Sequence, residues 1–574
     1  MVDMRPHTVR TAAPSNKEGA VSIAPPGWLV CAALMLLALM FRIAVMRAVY
    51  PYVDSDGAII GLMAYHIQAG GWPLLYDGQP YQGSLEAYLA ALAFRLWGAG
   101  DFTLEVPALA FSVGFVGAVY ALGATLYGRR TAVLSALFIA LGPSLLIFHS
   151  TAAGYGYIEV MVCGTILLLL TARYPDLRTI PRPVALAAGV LAGVGLWMEP
   201  LMAEYLLPAV LAYLLVLFAA WRAAPLAGWA AALRALAAAA AGTVVGAAPL
   251  LLYNLNNHSA TLAYLYRNGR GGDHLAVAVR LVTQALPIVL GLAVPHSQSD
   301  VAARLARVHS APYLMGLVGG AYILGRLILG PVGLPRRIAS LLHVPEGSLT
   351  VSTPSPYVPE RSPLALSASA PQRDGALALF AISCLLFFVL SRFGAGASST
   401  SLPRYLLPLY TITPLVVDML VPRPWRRGTN SVALLTVGML CLTGLTLTIE
   451  SHGNERARRS ITGLIPVLRK EGVRTAYTNY WVAYRLSFES QGRIVGIPVN
   501  GSRLARVRIA ADLALADRTA ANHLAWIVYR DSSGEHNLLR LLRRGHMHAH
   551  RVAWEGLVIY DHFSRPLRAV GPYQ

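Results

Sequence analysis

The sequence contains few charged residues for its length. Of 574 residues only 13% are Asp, Glu, Lys or Arg, about half the share usual in soluble proteins. Hydrophobic residues make up 56%. A chain of this composition cannot cover its own surface with polar groups, which excludes a mainly soluble architecture. The composition therefore predicts an integral membrane protein.

Cysteines are also scarce. The four that occur, Cys31, Cys163, Cys384 and Cys441, lie in apolar segments and none shows CxxC spacing. This excludes a disulfide framework and a cysteine-based zinc site. We expect these residues to act as small apolar packing groups.

Acidic residues are fewer than basic ones, and the net charge of +19 comes mostly from Arg. In a membrane protein such an excess is typical of cytoplasmic loops that face anionic lipid. Since no aromatic and basic RNA-binding pattern interrupts the apolar runs, no nucleic-acid partner is expected.

Apolar runs of a length that crosses a bilayer recur along the chain. They predict a polytopic all-α membrane protein of about 11 transmembrane helices. The runs are 28–49, 103–126, 131–149, 157–172, 184–198, 200–220, 235–253, 311–330, 375–391, 403–420 and 431–449. A further run, 281–294, is too short to cross and is expected to be a half-helix or an interfacial segment. No signal-peptide cleavage site follows the first run, which predicts an uncleaved first helix.

The distribution of Arg between these runs predicts the orientation. With the N-terminal tail 1–27 in the cytoplasm, most Arg-rich connections fall on the cytoplasmic side, and the loop at 150–156 on the other side has no Lys or Arg. The exception is 254–310, which is assigned outside yet carries five Arg, although loops of that length obey the rule weakly. The prediction is a multi-pass protein of the cell (inner) membrane. Its loop 51–102 and everything after about residue 451 lie outside the cytoplasm, and the Ser- and Pro-rich connection 334–374 is a flexible cytoplasmic linker.

The segment 451–574 differs in character from the rest. It is charged, with short alternating patterns that predict strands at Arg474–Thr478 and Leu524–Arg530 and a helix at Trp481–Glu489. We expect a small extracytoplasmic α/β domain there. The aromatic residues at near-helical spacing in Trp481–Glu489 are more typical of core than of acceptor recognition. No internal repeat is evident, which argues against a transporter built from two halves.

Two carboxylates, Asp54 and Asp56, follow the first span directly and precede an apolar-periodic segment, 58–68. Acids at the membrane border have restricted solvation, which raises a carboxylate's proton affinity and suits it to general-base work. Either could instead cap the helix at 58–68. Glu86, later in the loop, is a candidate for orienting the loop or contacting an acceptor, or is an exposed helix residue.

Other candidates lie at the ends of later spans. Glu159 begins the fourth span, where an acid is costly unless it is paired or hydrated, which favours a functional role. His149 and Tyr155 are candidates for phosphate or sugar contact, although tyrosines here also form an interfacial belt. In WMEP, Glu199 stands at a helix end beside Trp197, which is either a sugar platform or a helix anchor.

A cation at the end of a span is a candidate for binding an anionic group. Arg404, with Tyr405, begins the tenth span, and its planar guanidinium suits phosphate oxygens. The alternative is snorkelling toward lipid headgroups. Arg42 carries the same ambiguity. Arg270, in YRNGRGGDH, is a candidate for a loop over the bound group or is plain surface.

These residues carry a resemblance to the GT-C superfamily of membrane glycosyltransferases. The likeness is to the branch related to protein O-mannosyltransferases and the lipid A aminoarabinose transferase, similar to glycosyltransferase family 39. The D-x-x-x-x-x-x-x-A pattern falls on Asp56 and Ala64, and the most specific local match is Tyr76–Tyr88, which contains GQPYQGSLEAY. An Arg-Tyr pair like the one beginning at Arg404 also recurs in the superfamily.

The resemblance implies that 28–450 is a GT-C-like transmembrane catalytic domain with an Asp base in the first outer loop. It further implies that a second outer acid, here Glu159, positions the reacting groups, and that in some members this acid binds a metal, so a divalent cation is compatible with the site. The family often has Glu after the catalytic Asp, whereas this chain has Gly57. Whether Asp54 or Asp56 is the base therefore stays open.

The sequence thus predicts an inverting glycosyltransferase that moves a sugar from a polyprenyl-phosphate donor to an acceptor hydroxyl. Its partners would be that donor, membrane lipids and an acceptor that is a glycan, a lipid or a protein. The rival interpretation is a transporter or lipid flippase without transferase activity, and a third is a non-catalytic receptor or assembly factor. The catalytic interpretation requires Asp56, Glu159 and Arg404 to converge on one cavity.

Overall fold

A computed structural model of the chain describes residues 26–49, 53–223, 228–268, 273–289, 370–391, 402–420 and 461–569. The predicted spans 311–330 and 431–449 lie outside these residues. So do Arg270, Cys441, most of the linker 334–374 and most of the N-terminal tail.

Helices are the main regular elements of the described residues before 421, together with an isolated β-bridge between Leu75 and Gly83. The α-helices are α1 Gly27–Val49, α2 Ser55–Gln68, α3 Leu85–Trp97, α4 Asp101–Leu126, α5 Arg129–Leu141, α6 Ser144–His149, α7 Tyr157–Arg173, α8 Arg182–Met198, α9 Met202–Ala223, α10 Trp229–Gly246, α11 Ala248–Asn256, α12 Ala260–Asn268, α13 His274–Arg280, α14 Leu286–Val289, α15 Ala370–Leu390 and α16 Thr413–Leu420. A π-helical turn, Leu281–Ala285, joins α13 to α14, and a 3₁₀ helix, Leu402–Ile412, precedes α16.

Two of the predicted spans are broken. The run 131–149 consists of α5 and α6, which are separated by Gly142 and Pro143. Proline interrupts a helix because it lacks the backbone N–H that would bond to the preceding turn. The run 235–253 is interrupted at Ala247, where α10 ends and α11 begins, with Pro249 in the first turn of α11. Hydropathy alone does not reveal either break, because the residues on both sides are equally apolar.

Within the described residues, three helices are long and apolar enough to cross a membrane. They are Gly27–Arg47, Asp101–Leu126 and Trp229–Gly246. Shorter apolar helices occur at Arg182–Met198, Met202–Phe218 and Leu377–Leu390. The total of about 11 spans stays a prediction.

Helices α8 and α10 pack through glycines. A Cβ added at Gly189 would lie 2.0 Å from the Ala239 carbonyl oxygen, and one at Gly242 would lie 2.2 Å from that of Leu186. Gly193 and Gly246 repeat the pattern four residues later in each helix, with the nearest backbone oxygen at 2.3 Å in both cases. This reciprocal contact of small residues at four-residue spacing is how helices approach closely in lipid.

The C-terminal part folds as an α/β domain, as the sequence predicts. Its elements are α17 Leu464–Lys470, β1 Thr475–Thr478, α18 Tyr480–Glu489, β2 Val495–Asn500, β3 Arg503–Leu504, α19 Ala510–Arg518, β4 Leu524–Tyr529, α20 Ser533–Arg544, β5 His550–Trp554 and β6 Leu557–Asp561. The sheet order is β3-β2-β1-β4-β6-β5. Strand β1 runs parallel to β2 and β4, and the other pairs are antiparallel.

Helix α2 lies between the helical bundle and the sheet domain. The ring of Phe488 from α18 is 5.6 Å from that of Tyr65 and 6.1 Å from that of Phe94. A Cβ at Gly61 would lie 2.3 Å from Phe488. The predicted aromatic stripe is therefore mostly core, as expected, although Trp481 is exposed. This packing places the first turn of α2 against the sheet domain.

Candidate active site

Asp54 is the N-cap of α2. Its Oδ1 accepts a hydrogen bond of 2.8 Å from the Gly57 N–H, and its Oδ2 accepts one from the Tyr155 hydroxyl. The side chain is buried, and burial together with the nearby charge of Asp56 raises the pKa of Asp54 to about 6. Both oxygens are therefore occupied in holding local structure.

Asp56 lies one residue into α2 and is only partly buried. The Tyr480 hydroxyl of the sheet domain donates to its Oδ1, and the Tyr76 hydroxyl donates to its backbone carbonyl at 3.0 Å. The neighbouring Ser55 donates to the Tyr480 carbonyl at 2.5 Å. Among the described residues no donor meets Asp56 Oδ2, so this oxygen is available to a substrate.

The backbone at 153–154 packs directly against the start of α2. Gly154 has φ +98, and a Cβ there would lie 2.6 Å from the Asp56 carbonyl carbon. A Cβ at Gly57 would lie 3.2 Å from the Ala153 oxygen. This closeness gives the departure at Gly57 a physical reason, because a larger residue there would push against the loop.

Buried side chains hold this loop in place. Glu86 accepts from the Gly154 N–H at 2.9 Å, Gln82 donates to the Gly154 carbonyl at 2.8 Å, and Glu105 accepts from the Ala153 N–H. Glu86 is 1% exposed, which excludes its interpretation as an exposed helix residue. Burial, with the negative charge of Glu159 nearby, raises the pKa of Glu86 well above its usual range.

Glu159 stands in the first turn of α7 and is 1% exposed. Neither of its carboxylate oxygens has a hydrogen-bond partner in the described part of the chain. An acid left in this way at a buried position costs several kcal/mol if charged, roughly. Such a cost favours retention for a role other than stability.

Glu199 is the C-cap of α8 and Arg404 lies in the 3₁₀ helix Leu402–Ile412. The two side chains are within electrostatic range of each other, and Glu159 is within range of Glu199. The Tyr157 phenol lies within electrostatic range of Arg404, Glu199 and Asp56. Burial raises the pKa of Glu199 to about 8, although the charge of Arg404 opposes the shift. Arg404 donates to the Tyr405 hydroxyl at 2.9 Å, and its guanidinium lies 4.9 Å from the Tyr405 ring centre.

The other predicted residues divide between the site and the scaffold. The His149 ring lies 4.8 Å from that of Tyr155, whose hydroxyl donates to Asp54, and 5.6 Å from that of Tyr157. Trp197 is buried and donates from its indole nitrogen to the Leu74 carbonyl at 2.8 Å, an arrangement typical of an anchor rather than a sugar platform.

Arg42 is not a phosphate ligand in this structure. It is fully buried and donates to the carbonyls of Ala140 and Ile139 at 2.8 and 3.1 Å, at the end of α5. The guanidinium thus satisfies carbonyls that a helix end leaves without partners.

Sequence reasoning missed the residues that the sheet domain brings to Asp56. Besides Tyr480, Arg508 lies within electrostatic range of Asp56 and donates to the Gly78 carbonyl at 2.8 Å. Its guanidinium is 6.0 Å from the Tyr480 ring centre. The basic run around Arg508 was visible in the sequence, but no spacing connects it with the first loop.

The carboxylates around Asp56 do not gather as closely as metal ligands do. In the part of the chain that the structure describes, four candidate ligand atoms come within 4.8 Å of one another at one place, Glu471, His550, Asp561 and His562 of the sheet domain. A cation at Asp56 would need to draw its ligands together.

No protein-family model matches the chain, and no curated protein matches it in sequence. The structure of ArnT from Cupriavidus metallidurans bound to undecaprenyl phosphate aligns with TM-score 0.56 and 13% identity, over 94% of this chain and 98% of that chain. The apo structure of the same protein aligns with TM-score 0.53 and 12% identity, over 93% and 97%. Since both identities are low, the likeness concerns the fold. The chain shares the fold of these ArnT structures, as its resemblance to the GT-C superfamily implies.

Proposed function

We propose that this protein is an inverting membrane glycosyltransferase that uses a polyprenyl-phosphate-linked sugar and acts on the extracytoplasmic side. The observation that carries the proposal is the Asp56 carboxylate. One of its oxygens is fixed by Tyr480 and the other meets no donor among the described residues, while Arg404 lies within range of the same Tyr157 phenol. A base and a phosphate-binding cation within electrostatic range of one phenol suit transfer from a phosphate donor.

In this proposal Asp56, rather than Asp54, is the base. Asp54 uses both oxygens to cap α2 and to hold Tyr155. Asp56 has an oxygen to spare, is more exposed, and is oriented by a phenol from another domain. A general base needs this combination of fixed direction and a free lone pair.

The reaction is a single displacement. Asp56 Oδ2 takes the proton of an acceptor hydroxyl, and the hydroxyl oxygen attacks the anomeric carbon of the donor sugar. The bond from this carbon to the phosphate oxygen breaks, its electron pair stays on the polyprenyl phosphate, and the configuration inverts. In this proposal Arg404 stabilises the charge that develops on the leaving phosphate.

The type of donor is supported by the related fold. The ArnT structure from Cupriavidus metallidurans was obtained with undecaprenyl phosphate bound. We assign the same class of lipid phosphate to this chain, with its prenyl tail between the spans. The two acids Glu159 and Glu199 would position the sugar. Since the pKa of Glu199 is raised to about 8, chiefly by burial, it is mainly protonated at neutral pH and can donate to a sugar hydroxyl.

The test is transfer from radiolabelled polyprenyl-phosphate sugars by the purified protein in lipid nanodiscs. We expect Asp56→Asn to lower the rate about 10²- to 10⁴-fold, the usual contribution of a general base. Asp77→Asn, in the same loop, is the matched control and should keep the wild-type rate. Thermal unfolding of both variants establishes that they are folded.

A transporter or flippase makes the opposite forecast. Lipid translocation measured in the same nanodiscs would then occur without any labelled acceptor product. The wild type and Asp56→Asn would then both form labelled product only at the level of a reaction without protein. That result would overturn the catalytic proposal.

A further inference from the structure

Four potential metal ligands meet at the open end of the edge hairpin in the sheet domain. His550 begins β5 and pairs in register with Asp561, the last residue of β6, and His562 follows directly. Glu471 comes immediately after α17. All four ligand atoms lie within 4.8 Å of one another.

The distances between these atoms match those between ligands of one small cation. Asp561 Oδ1 lies 3.0 Å from His550 Nδ1 and 3.1 Å from His562 Nδ1, and Glu471 Oε2 lies 3.8 Å from His550 Nδ1. Ligands arranged as a tetrahedron at zinc bond lengths are roughly 3.3 Å apart. The three distances therefore depart from this value by about half an ångström or less, while the atoms farthest apart in the cluster, within 4.8 Å of each other, would close by about 1.5 Å through rotation of the exposed side chains.

The second oxygen of Asp561 is an independent sign of a missing partner. Asp561 is 0% exposed, yet its Oδ2 has no hydrogen-bond partner among the described residues. Two imidazole nitrogens crowd Oδ1 while Oδ2 has none. A cation bound by the two rings and by both oxygens of the carboxylate would satisfy Oδ2 as well as Oδ1, and a buried carboxylate oxygen is costly when unsatisfied.

The chemistry of the donors selects the metal. Two imidazoles and two carboxylates suit Zn²⁺, whereas Mg²⁺ and Ca²⁺ prefer oxygen ligands only. The rings of His550 and His562 are about half exposed, so an ion can reach them from solvent. Binding through Nδ1 requires a neutral imidazole that carries its one proton on Nε2, so any proton on Nδ1 is released to solvent when the ion binds.

We propose that Glu471, His550, Asp561 and His562 bind one Zn²⁺ ion that fastens the edge hairpin to the segment by which the chain enters the sheet domain. The ion joins β5 and β6 at the end opposite their turn and ties both to α17. Its role is structural, and it is separate from the chemistry proposed at Asp56.

The test uses the full-length protein purified in detergent and treated with a chelator that is then removed. Zinc is added, excess is removed by gel filtration, and bound metal is counted by mass spectrometry. Titration calorimetry gives the affinity and thermal unfolding gives the stability. We compare His562→Gln and His550→Gln with His536→Gln, an exposed histidine of the same domain outside the cluster.

We expect the wild type and His536→Gln to retain one zinc more per chain than either cluster variant. Zinc should raise the unfolding temperature of the first two and not of the cluster variants, whose affinity should fall at least about tenfold. Because both rings are half exposed, these variants should fold. Equal zinc content in all four proteins, or no zinc in any, would overturn the proposal whatever the outcome for sugar transfer.

Discussion

Two buried glutamates stand at the same position of a helix in different parts of the molecule. Glu535 is in the first turn of α20 in the sheet domain, and Glu159 is in the first turn of α7 in the bundle. Glu535 accepts from the Tyr560 hydroxyl at 2.7 Å, from Arg551 at 3.2 Å and from the Asp531 N–H at 2.7 Å. Glu159 has no such partner among the described residues.

The helix dipole favours an acid at both places, so it does not explain the difference. The carboxylate oxygens of Glu535 both have hydrogen-bond partners, which is typical of a structural residue. Glu159 is as deeply buried, but neither of its carboxylate oxygens has a hydrogen-bond partner among the described residues. Burial alone therefore does not single out a functional acid; at Glu159 it is burial without hydrogen bonds, together with its place at the predicted outer end of α7, that favours a role beyond the fold.

The largest expected effect comes from a comparison of two cations, Arg404 of the proposed site in the bundle and Arg551 of the sheet domain. Arg404→Gln should lower the rate of sugar transfer about 10²- to 10³-fold, because a charge that stabilises the developing phosphate is lost. Arg404→Lys should recover part of the rate, since it keeps the charge but not the planar fork. Arg551→Gln is the control.

Initial rates at saturating donor, with unfolding curves for each variant, measure this effect. If Arg551→Gln lost as much activity as Arg404→Gln, the loss could not be assigned to a catalytic role of Arg404.

The next effect is on the pH dependence of stability. Burial raises the pKa of Asp54 to about 6 from its ordinary 3.8. The folded protein therefore holds a proton that the unfolded chain releases. The stability from this proton is complete below about pH 4 and is lost as the pH rises to about 6, a change of up to about 3 kcal/mol.

Asp54→Asn keeps the capping oxygen and removes the titration. We expect its unfolding temperature to fall less between pH 4 and pH 7 than that of the wild type. Asp517→Asn, an exposed acid of the sheet domain, should follow the wild-type curve. Parallel curves for all three proteins would contradict the assigned cause.

The smallest effect tests the two glutamates directly. Glu535→Gln should destabilise the protein by about 1–3 kcal/mol, because charge-assisted hydrogen bonds are weakened. Glu159→Gln should leave stability unchanged or raise it, since a costly buried charge disappears, while sugar transfer falls. Denaturant unfolding and transfer rates of both variants measure this. A loss of stability in Glu159→Gln would show that the acid has a structural partner.

Much of the fold followed from the sequence because lipid imposes strict requirements on it. A chain that is 56% hydrophobic predicts helices, and short alternating patterns predicted β1, β4 and α18 to within one or two residues at each end. The breaks at Gly142–Pro143 and Ala247 were not predicted, since neither changes the hydropathy. The 3₁₀ geometry of Leu402–Ile412 was also missed.

The site was predictable only where position along the chain carried the signal. Asp54, Asp56, Glu159 and Arg404 were chosen because each stands at the end of a span, and their assigned roles stay proposals. The contact of Tyr480 with Asp56 joins residues 424 positions apart. No local pattern encodes it, because it depends on how the sheet domain packs on α2. Glu86 was misjudged as possibly exposed because its partner is a backbone N–H of a distant loop.

The contact between Tyr480 and the first turn of α2 also bears on the order of synthesis. Ribosomes make proteins from the N-terminus, so the segment with Asp56 is finished long before Tyr480 leaves the exit tunnel. Both Ser55 and Asp56 bind Tyr480. A nascent chain with its first spans already inserted therefore lacks the tyrosine that orients the proposed base, and on the proposed function prematurely terminated products that stop short of α18 should be inert toward lipid-linked sugars.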